Sequence, residues 1–274
     1  MKVALLAGGL GTRFAEETDL KPKPMISVGE FPILWHIMKY FSEFKMNDFY
    51  VATGYKGDVI KSYFVNYHTM SGSIEVDLAN GKVKSYTRPP EQWKIRLIET
   101  GPLTQTGGRI RRMEEWLRGP EPFICTYGDG LGDVDINALL KFHRSHGKLA
   151  TVTAVRPPAR YGAINFDGDR VASFSEKPQS GEGWINGGFL VFNEGLFDYL
   201  KNDVDSLERE GLEKIAADGE LMAFKHYGFW QCMDTLRDKT YLEELWKNDN
   251  APWKIWKDRV QLKNRVQLKI RKAA

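Results

Sequence analysis

Apolar positions in the first half of the chain predict strands that alternate with helices. Residues 2–7 form an apolar run that ends at Gly8-Gly9, the pattern of a buried strand followed by a loop. A helix is predicted to open at Pro32, because apolar residues then recur at helical spacing at Ile33, Leu34, Ile37, Met38 and Phe41. The same reasoning predicts strands at 49–53, 123–127 and 149–155, and helices at 58–67 and at 136–146, the last capped by Asp135.

This order of elements predicts an α/β fold with a Rossmann-like mixed, mainly parallel sheet flanked by helices. Residues 71–108 are less regular, which indicates small antiparallel additions or an excursion from the sheet, and we assign no firm fold to them. Ligands of such sheets bind beyond the carboxyl ends of the strands. We therefore expect Gly8-Gly9 and Gly128-Asp129, each of which follows a predicted strand, to meet in one crevice.

Composition narrows the class of protein. With 274 residues and 42% hydrophobic content, the chain can bury a sizeable core. Cys125 and Cys232 are the only cysteines, which excludes a disulfide-stapled fold and a cysteine-rich metal framework. No apolar run of about eighteen residues and no secretory cleavage pattern is present, so we expect a cytoplasmic protein without a membrane span.

The charge of the chain is unevenly distributed. The net charge is +3, yet residues 251–274 hold eight Lys/Arg and one Asp, so the remaining chain is mildly acidic. A nucleic-acid-binding body is therefore not expected. We predict one domain over residues 1–257 and a basic tail over 258–274, in which residues 259–263 repeat as 265–269. The tail is interpreted as a solvated segment or as one that packs on another subunit.

The loop Gly8-Gly9-Leu10-Gly11-Thr12-Arg13 fits neither of two common phosphate loops. A dinucleotide fingerprint would need glycine in place of Phe14, and a P-loop would need Gly-Lys-Ser/Thr in place of Gly11-Thr12-Arg13. The loop can still bind a polyphosphate, because glycines allow close approach of backbone N–H groups and Arg13 can make forked bonds. Lys23 lies between two prolines, which would hold a second cation nearby.

Residues 6–13 followed by Lys23-Pro24-Met25 resemble the signature of the sugar-phosphate nucleotidylyltransferases, also called nucleotide-sugar pyrophosphorylases. Further stretches agree in order, namely Gly128-Asp129-Gly130, Tyr161-Gly162-Ala163, Glu176-Lys177-Pro178, residues 184–189 and residues 228–235. The resemblance covers residues 1 to about 257. Within the family, residues 104–109, 229–231 and 234–238 look most similar to the members that make CDP-glucose.

The resemblance implies transfer of a cytidylyl group from CTP to α-D-glucose 1-phosphate, giving CDP-glucose and pyrophosphate, with Mg²⁺ assisting direct attack at the α-phosphate. It also implies a homo-oligomer, a hexamer being one option, and a product used for the O-antigen of lipopolysaccharide. The implied catalytic residues are Arg13 and Lys23, and the implied Mg²⁺ ligands are Asp129 and Asp234. The implied nucleotide-binding residues are Leu6, Ala7, Gly8, Gly9, Gly11, Thr12, Arg13, Gln105, Gly108 and Asp129. The implied sugar-phosphate-binding residues are Lys23, Gly162, Glu176, Lys177 and Asn186.

Three alternatives stay open. The first is a nucleotidylyltransferase that uses UTP, dTTP or another sugar 1-phosphate. The second is a glycosyltransferase with Asp133 and Asp135 as metal ligands, although helix capping explains this pair better. The third is a non-catalytic sensor of nucleotide sugars. His143 and His146 are interpreted as solvent-facing residues of the predicted helix, and Trp93, Trp116, Trp184, Trp230, Trp246, Trp253 and Trp256 as packing residues.

Overall fold

A computed structural model describes residues 1–11, 14, 18, 21–87, 89–157, 163–167, 170–175 and 183–257. Its strands are β1 (Lys2–Leu6), β2 (Ser27–Val28), β3 (Phe31–Pro32), β4 (Asp48–Thr53), β5 (Ile74–Asp77), β6 (Lys82–Ser85), β7 (Lys94–Glu99), β8 (Phe123–Tyr127), β9 (Gly130–Gly132), β10 (Ala150–Val155), β11 (Ala163–Asp167), β12 (Arg170–Ser175), β13 (Ile185–Phe192), β14 (Leu221–Lys225) and β15 (Trp230–Cys232).

Helices cover the sheet and connect its strands. They are α1 (Ile33–Glu43), α2 (Gly57–Val65), α3 (Tyr67–Met70), α4 (Thr106–Arg112), α5 (Glu114–Leu117), α6 (Ile136–His146), α7 (Lys214–Ala217) and α8 (Leu236–Lys247). Short 3₁₀ turns at Lys23–Met25 and Glu194–Asp198 and a π-helix at Leu207–Glu213 complete the helical elements of the described chain. None of these helices combines the length and apolar character that a bilayer crossing requires.

The central sheet contains seven strands of the described chain, in the order β14, β10, β13, β8, β1, β4, β7. β1 pairs in parallel with β4 and β8, β4 with β7, and β10 with β14. β13 is antiparallel to both of its neighbours. The pairs β2–β3, β5–β6, β9–β15 and β11–β12 are small antiparallel additions. The predicted mixed, mainly parallel α/β fold is therefore confirmed.

The sheet separates two hydrophobic cores. Along β1, Val3 and Leu5 face one core, whereas Ala4 and Leu6 face the other. A strand with cores on both faces reads as a continuous apolar run, which explains why β1 was recognisable in the sequence. Burial of β1 fixes the position of the glycine loop that follows it.

Several predicted boundaries are confirmed closely. β8 spans the predicted residues, and α1 starts one residue after Pro32. α6 also spans the predicted residues, and the Asp135 carboxylate accepts a hydrogen bond of 3.0 Å from the Ala138 N–H as its N-cap. The hairpin β5–β6 provides the antiparallel addition expected within 71–108, but the same stretch also contains β7, a strand of the main sheet. The predicted tail, 258–274, lies outside the described residues.

The solvent-facing prediction for His143 is wrong. His143 is buried, and its ring nitrogens lie 2.9 Å from Thr151 Oγ1 and 3.3 Å from Asn193 Oδ1. The reason is visible in α6, where the buried residues Ile136, Leu139, Leu140 and His143 follow i, i+3, i+4, i+7 spacing. Burial lowers the pKa of His143 and favours its neutral ring. His143 is thus a core residue bonded to neighbouring polar groups.

Candidate active site

A cavity of about 590 Å³ opens at the carboxyl ends of β1 and β8. It contains the two glycine-bearing segments that were expected to meet there. The predicted site residues that line it are Leu6, Ala7, Gly8, Gly9, Gly11, Lys23, Gln105, Asp129, Asn186 and Asp234. The fold therefore brings together residues from six separate stretches of the sequence.

Arg109 approaches Gly8 so closely that position 8 has no room for a side chain. The Gly8 carbonyl accepts hydrogen bonds from the Tyr55 N–H at 3.1 Å and from Arg109 Nη2 at 2.8 Å. A Cβ atom at position 8 would lie 2.2 Å from Arg109 Nη1, so a larger residue would push the arginine away. Gly11 has a φ of +66°, a conformation that glycine adopts readily. These two glycines give the loop its path along the cavity.

Arg109 is a cavity residue that had no role assigned from the sequence. Its guanidinium is buried and donates to Thr100 Oγ1 at 2.6 Å and to the Gly101 carbonyl at 2.8 Å, in addition to Gly8. Burial lowers the pKa of Arg109, although the group stays charged. Arg109 ties the glycine loop to the loop after β7. The sequence feature that could have identified Arg109 is its position directly after the glycine pair in Thr106-Gly107-Gly108-Arg109.

Lys23, Asp129 and Asp234 form the charged centre of the cavity. Lys23 Nζ lies 2.6 Å from Asp129 Oδ2 and 2.5 Å from Asp234 Oδ1. Burial of the ammonium group is the largest single influence and disfavours its charge, but the negative charge of Asp129 and the hydrogen bonds to Asp129 and Asp234 together outweigh it, so the pKa of Lys23 is raised above its usual value. Pro22 and Pro24 flank the lysine and fix its backbone in the 3₁₀ turn. The cluster therefore keeps a fully charged lysine inside the cavity.

A short antiparallel pair brings the two aspartates together. In the β9–β15 pair, Gly130 lies opposite Cys232, and the Met233 N–H donates to the Asp129 carbonyl at 2.9 Å. On the far side, the Asp234 N–H donates to Asp238 Oδ2 at 3.1 Å, within the capping box that starts α8. Both carboxylates thus project from well-anchored backbone.

Asp129, Cys232 and Asp234 offer ligand atoms that all lie within 4.8 Å of one another. Two carboxylates suit Mg²⁺, a hard cation that prefers oxygen ligands and keeps several waters. Burial raises the pKa of the Cys232 thiol, which favours the protonated form, and Mg²⁺ has little affinity for sulfur. The carboxylate oxygens of Asp129 and Asp234 therefore fit the predicted Mg²⁺ site, and Cys232 is an uncharged neighbour of that site.

A hydrogen-bonded network forms another part of the cavity wall. Tyr127 donates to the Glu208 carboxylate, and Thr106 Oγ1 donates to the same carboxylate at 2.8 Å. Asn186 Nδ2 donates to the Tyr127 hydroxyl at 3.3 Å. Burial and the neighbouring Glu208 raise the pKa of Tyr127. Of these residues, only Asn186 had been proposed for the site, and no sequence pattern identified Tyr127 or Glu208.

Gln105 and Gly108 occupy different positions. Gln105 lines the cavity, whereas Gly108 is not among the residues that do so. A Cβ atom at Gly108 would lie 2.4 Å from the Asp203 carbonyl oxygen, because this glycine packs against the backbone there. The structure thus gives Gly108 a packing role between α4 and the neighbouring loop.

Five predicted site residues lie outside the described residues: Thr12, Arg13, Gly162, Glu176 and Lys177.

Trp230, interpreted from the sequence as a packing residue, does line the cavity. Its indole N–H donates to the Gly187 carbonyl at 2.7 Å. The packing interpretation holds for Trp253, which is fully buried in the core on the α1 side of the sheet.

The Asp133-Val134-Asp135 motif does not reach the cavity. Asp135 caps α6, and Asp133 Oδ1 lies 2.9 Å from His226 Nε2. Neither aspartate is among the described residues that line the cavity. This arrangement disfavours the alternative in which the pair binds the metal of a glycosyltransferase.

Comparisons with known proteins agree with this geometry. Residues 2–240 match the nucleotidyl transferase family model. The chain is 49% identical over 256 residues to the glucose-1-phosphate cytidylyltransferases of Salmonella typhi and Salmonella typhimurium, an alignment that covers 93% of this chain and 100% of each relative. The crystal structure of HddC from Yersinia pseudotuberculosis superposes with a TM-score of 0.66 at 24% identity, covering 89% of this chain and 99% of that one. This last likeness concerns the fold.

Proposed function

Because the chain belongs to the nucleotidyl transferase family, we propose that it transfers a cytidylyl group from CTP to α-D-glucose 1-phosphate. A phosphate oxygen of the sugar phosphate forms a bond to the α-phosphorus of CTP. The bond from that phosphorus to the bridging oxygen of the β-phosphate breaks, and pyrophosphate leaves with the electron pair. The products are CDP-glucose and pyrophosphate. The alignment with the two cytidylyltransferases along their whole length carries this proposal.

The difficulty of this reaction is electrostatic. The sugar phosphate is itself an anionic nucleophile, so no protein nucleophile is needed, but two polyanions must be brought into contact. Lys23, charged and nearly buried in the cavity, can neutralise the attacking phosphate. We propose that Arg13 and the Gly8–Gly11 backbone bind the triphosphate. Fixed positive groups of this kind stabilise the charge that moves onto the leaving pyrophosphate.

Nucleotidyltransferases of this family generally use a divalent metal. We propose that Asp129 and Asp234 hold Mg²⁺, since their carboxylates line the cavity and meet at Lys23. When bound, the ion would supply positive charge to the phosphate oxygens. The two aspartates would fix its position, and the backbone hydrogen bonds at Asp129 and Asp234 would hold the main chain from which their carboxylates project.

We assign the remaining cavity residues to the two ends of the product. Gln105 lines the cavity, and we assign it to the pyrimidine edge. Its amide group carries both a hydrogen-bond donor and an acceptor, and cytosine and uracil differ in which of their edge atoms donate and accept. We assign Asn186, which also lines the cavity, to the sugar phosphate together with Gly162, Glu176 and Lys177, which the sequence analysis proposed for the same role. Tyr127 and Glu208 hold Asn186 in place.

An assay of pyrophosphate release tests the proposal. The purified protein is incubated with Mg²⁺, glucose 1-phosphate and each nucleoside triphosphate in turn. We expect release with CTP and little with UTP or dTTP. Release with UTP or dTTP in preference to CTP would indicate a nucleotidylyltransferase with a different nucleotide substrate. Absence of release with every triphosphate would favour the alternative of a non-catalytic sensor of nucleotide sugars.

We further propose that the protein acts in the cytoplasm as a homo-oligomer. The hairpin β5–β6 is exposed in a single chain, and it carries the partly or fully exposed apolar residues Ile74, Val76 and Val83. An isolated hairpin of this kind gains stability by packing on another surface. Cys125 and Cys232 are both free thiols, as suits a reducing compartment. The CDP-glucose produced would supply surface-polysaccharide synthesis.

A further inference from the structure

The Lys23 ammonium group lies where a cation shared by Asp129 and Asp234 would be expected. It contacts one oxygen of each carboxylate, at 2.6 Å and 2.5 Å. These are the same two carboxylates that we assign to the divalent cation, so the inference below rests on the proposed function. The lysine and the metal therefore have a common pair of ligands.

The main chain is anchored at both aspartates, and the lysine carries the longer and more flexible side chain. The Asp129 backbone carbonyl accepts the hydrogen bond from the Met233 N–H beside the β9–β15 pair, and the Asp234 backbone N–H donates to the Asp238 carboxylate. Backbone contacts thus fix the main-chain positions from which the two short carboxylate side chains project. The backbone of Lys23 is also fixed, between two prolines, but its side chain has four rotatable bonds. The ammonium group is the member of the cluster that is freest to move.

The Lys23 ammonium group and a bound divalent cation would repel each other. Mg²⁺ binds carboxylate oxygens at about 2.1 Å. If Lys23 kept its present contacts, its ammonium group would lie less than about 5 Å from an ion bound to the same oxygens. At that separation in a partly buried cavity, like charges repel strongly. Occupation by one cation therefore opposes occupation by the other.

We propose that Lys23 is the resident counter-ion of the Asp129–Asp234 pair in the ligand-free protein, and that a divalent cation displaces its ammonium group into the cavity. Lys23 lines this cavity, so the released group is available to the phosphate of the sugar substrate. The metal thereby controls when Lys23 can act. The sugar phosphate would meet a free lysine only after the carboxylates have been occupied.

Binding of Mn²⁺ to the full chain without any nucleotide tests this exchange. The free Mn²⁺ is followed by electron paramagnetic resonance for the wild type, Lys23→Met and Lys61→Met. Lys61 is the matched control, because it makes an exposed ion pair with Glu99 at 2.8 Å, away from the cavity. We expect Lys23→Met to bind Mn²⁺ about tenfold more tightly than the wild type, and Lys61→Met to match the wild type. Circular dichroism verifies that each variant is folded.

A second measurement uses the wild type alone and does not depend on the folding of a variant. Lysine residues are labelled with trinitrobenzenesulfonate, and the labelling of each peptide is followed by mass spectrometry. We expect added Mg²⁺ to accelerate labelling of Lys23 and to leave Lys61 unchanged. Equal or weaker Mn²⁺ binding by Lys23→Met, including no binding by either protein, would overturn the inference, as would Lys23 labelling that is indifferent to Mg²⁺. Neither assay contains nucleotide, so a protein that uses UTP in place of CTP would contradict the proposed function and leave this inference standing.

Discussion

Asp129 and Asp234 are distant in sequence, whereas Asp133 and Asp135 are separated by one residue, yet only the distant pair shares a partner in the cavity. Lys23 contacts both carboxylates of the distant pair. Of the neighbouring pair, Asp135 caps a helix and Asp133 faces His226. The contrast shows that the strand ends, rather than spacing along the chain, decide which carboxylates can act together.

Removal of a carboxylate from the distant pair should have the largest effect. Asp234→Ala removes one ligand from the proposed metal site and one counter-ion from Lys23. We expect turnover to fall about 10³-fold, equivalent to about 4 kcal/mol of transition-state stabilisation. Steady-state pyrophosphate release measures the effect. Wild-type turnover in a folded Asp234→Ala protein would remove Asp234 from the site.

Lys23→Ala should have the next largest effect on turnover. The variant retains both carboxylates but loses the cation proposed to neutralise the attacking phosphate. We expect a loss of about 10²-fold with saturating Mg²⁺, because one charged donor contributes about this much in comparable sites. The same pyrophosphate assay applies, with Lys61→Ala as its surface control. Unchanged turnover would contradict the assignment of Lys23 to the phosphate.

Asp135→Ala should affect stability rather than turnover. The Asp135 carboxylate accepts the Ala138 N–H at the start of α6, and loss of such a cap costs about 1 kcal/mol. Urea unfolding measures the free energy of unfolding, and Asp135→Asn, which keeps a capping oxygen, serves as the control. A large loss of turnover with normal stability would show that Asp135 takes part in the reaction and does more than cap α6.

Asp133→Asn should have the smallest effect. The change retains the shape of the side chain and an oxygen that can accept a hydrogen bond from His226. We expect turnover within about twofold of the wild type, below 0.5 kcal/mol by the usual conversion of about 1.4 kcal/mol per tenfold. Titration of Mg²⁺ in the pyrophosphate assay provides the measurement. A marked rise in the Mg²⁺ concentration required would show that Asp133 supports the metal site.

Many strands and helices of the central fold could be predicted, because the sequence patterns that indicate them involve neighbouring residues. β1 is a continuous apolar run, and Asp135 precedes an amphipathic helix, so both were identified from neighbouring residues. The edge strand β7 was missed, since only Ile98 within it is buried and its pattern resembles that of the exposed hairpin before it. Partial burial at a sheet edge weakens the periodic signal.

Site residues that follow strand ends were predicted through family motifs. Site residues that reach the cavity from segments distant in sequence were missed. Arg109 is buried among carbonyl oxygens of loops that the sequence does not show to be adjacent. Glu208 enters the cavity from a π-helix, far in sequence from its partner Tyr127. The position of His143 was misjudged although it follows the apolar spacing of α6. A polar residue can occupy a buried face when neighbouring groups bond to it.

A crystal structure with CDP-glucose and Mn²⁺ tests the central claim most directly, since the anomalous signal of Mn²⁺ locates the ion independently of the nucleotide. The account predicts an Mn²⁺ peak between Asp129 and Asp234, the Lys23 ammonium moved away from both carboxylates, and the diphosphate lying along Gly8, Gly9 and Gly11. An Mn²⁺ peak at Asp133 and Asp135, or a sugar nucleotide bound away from the glycine loop, would contradict it.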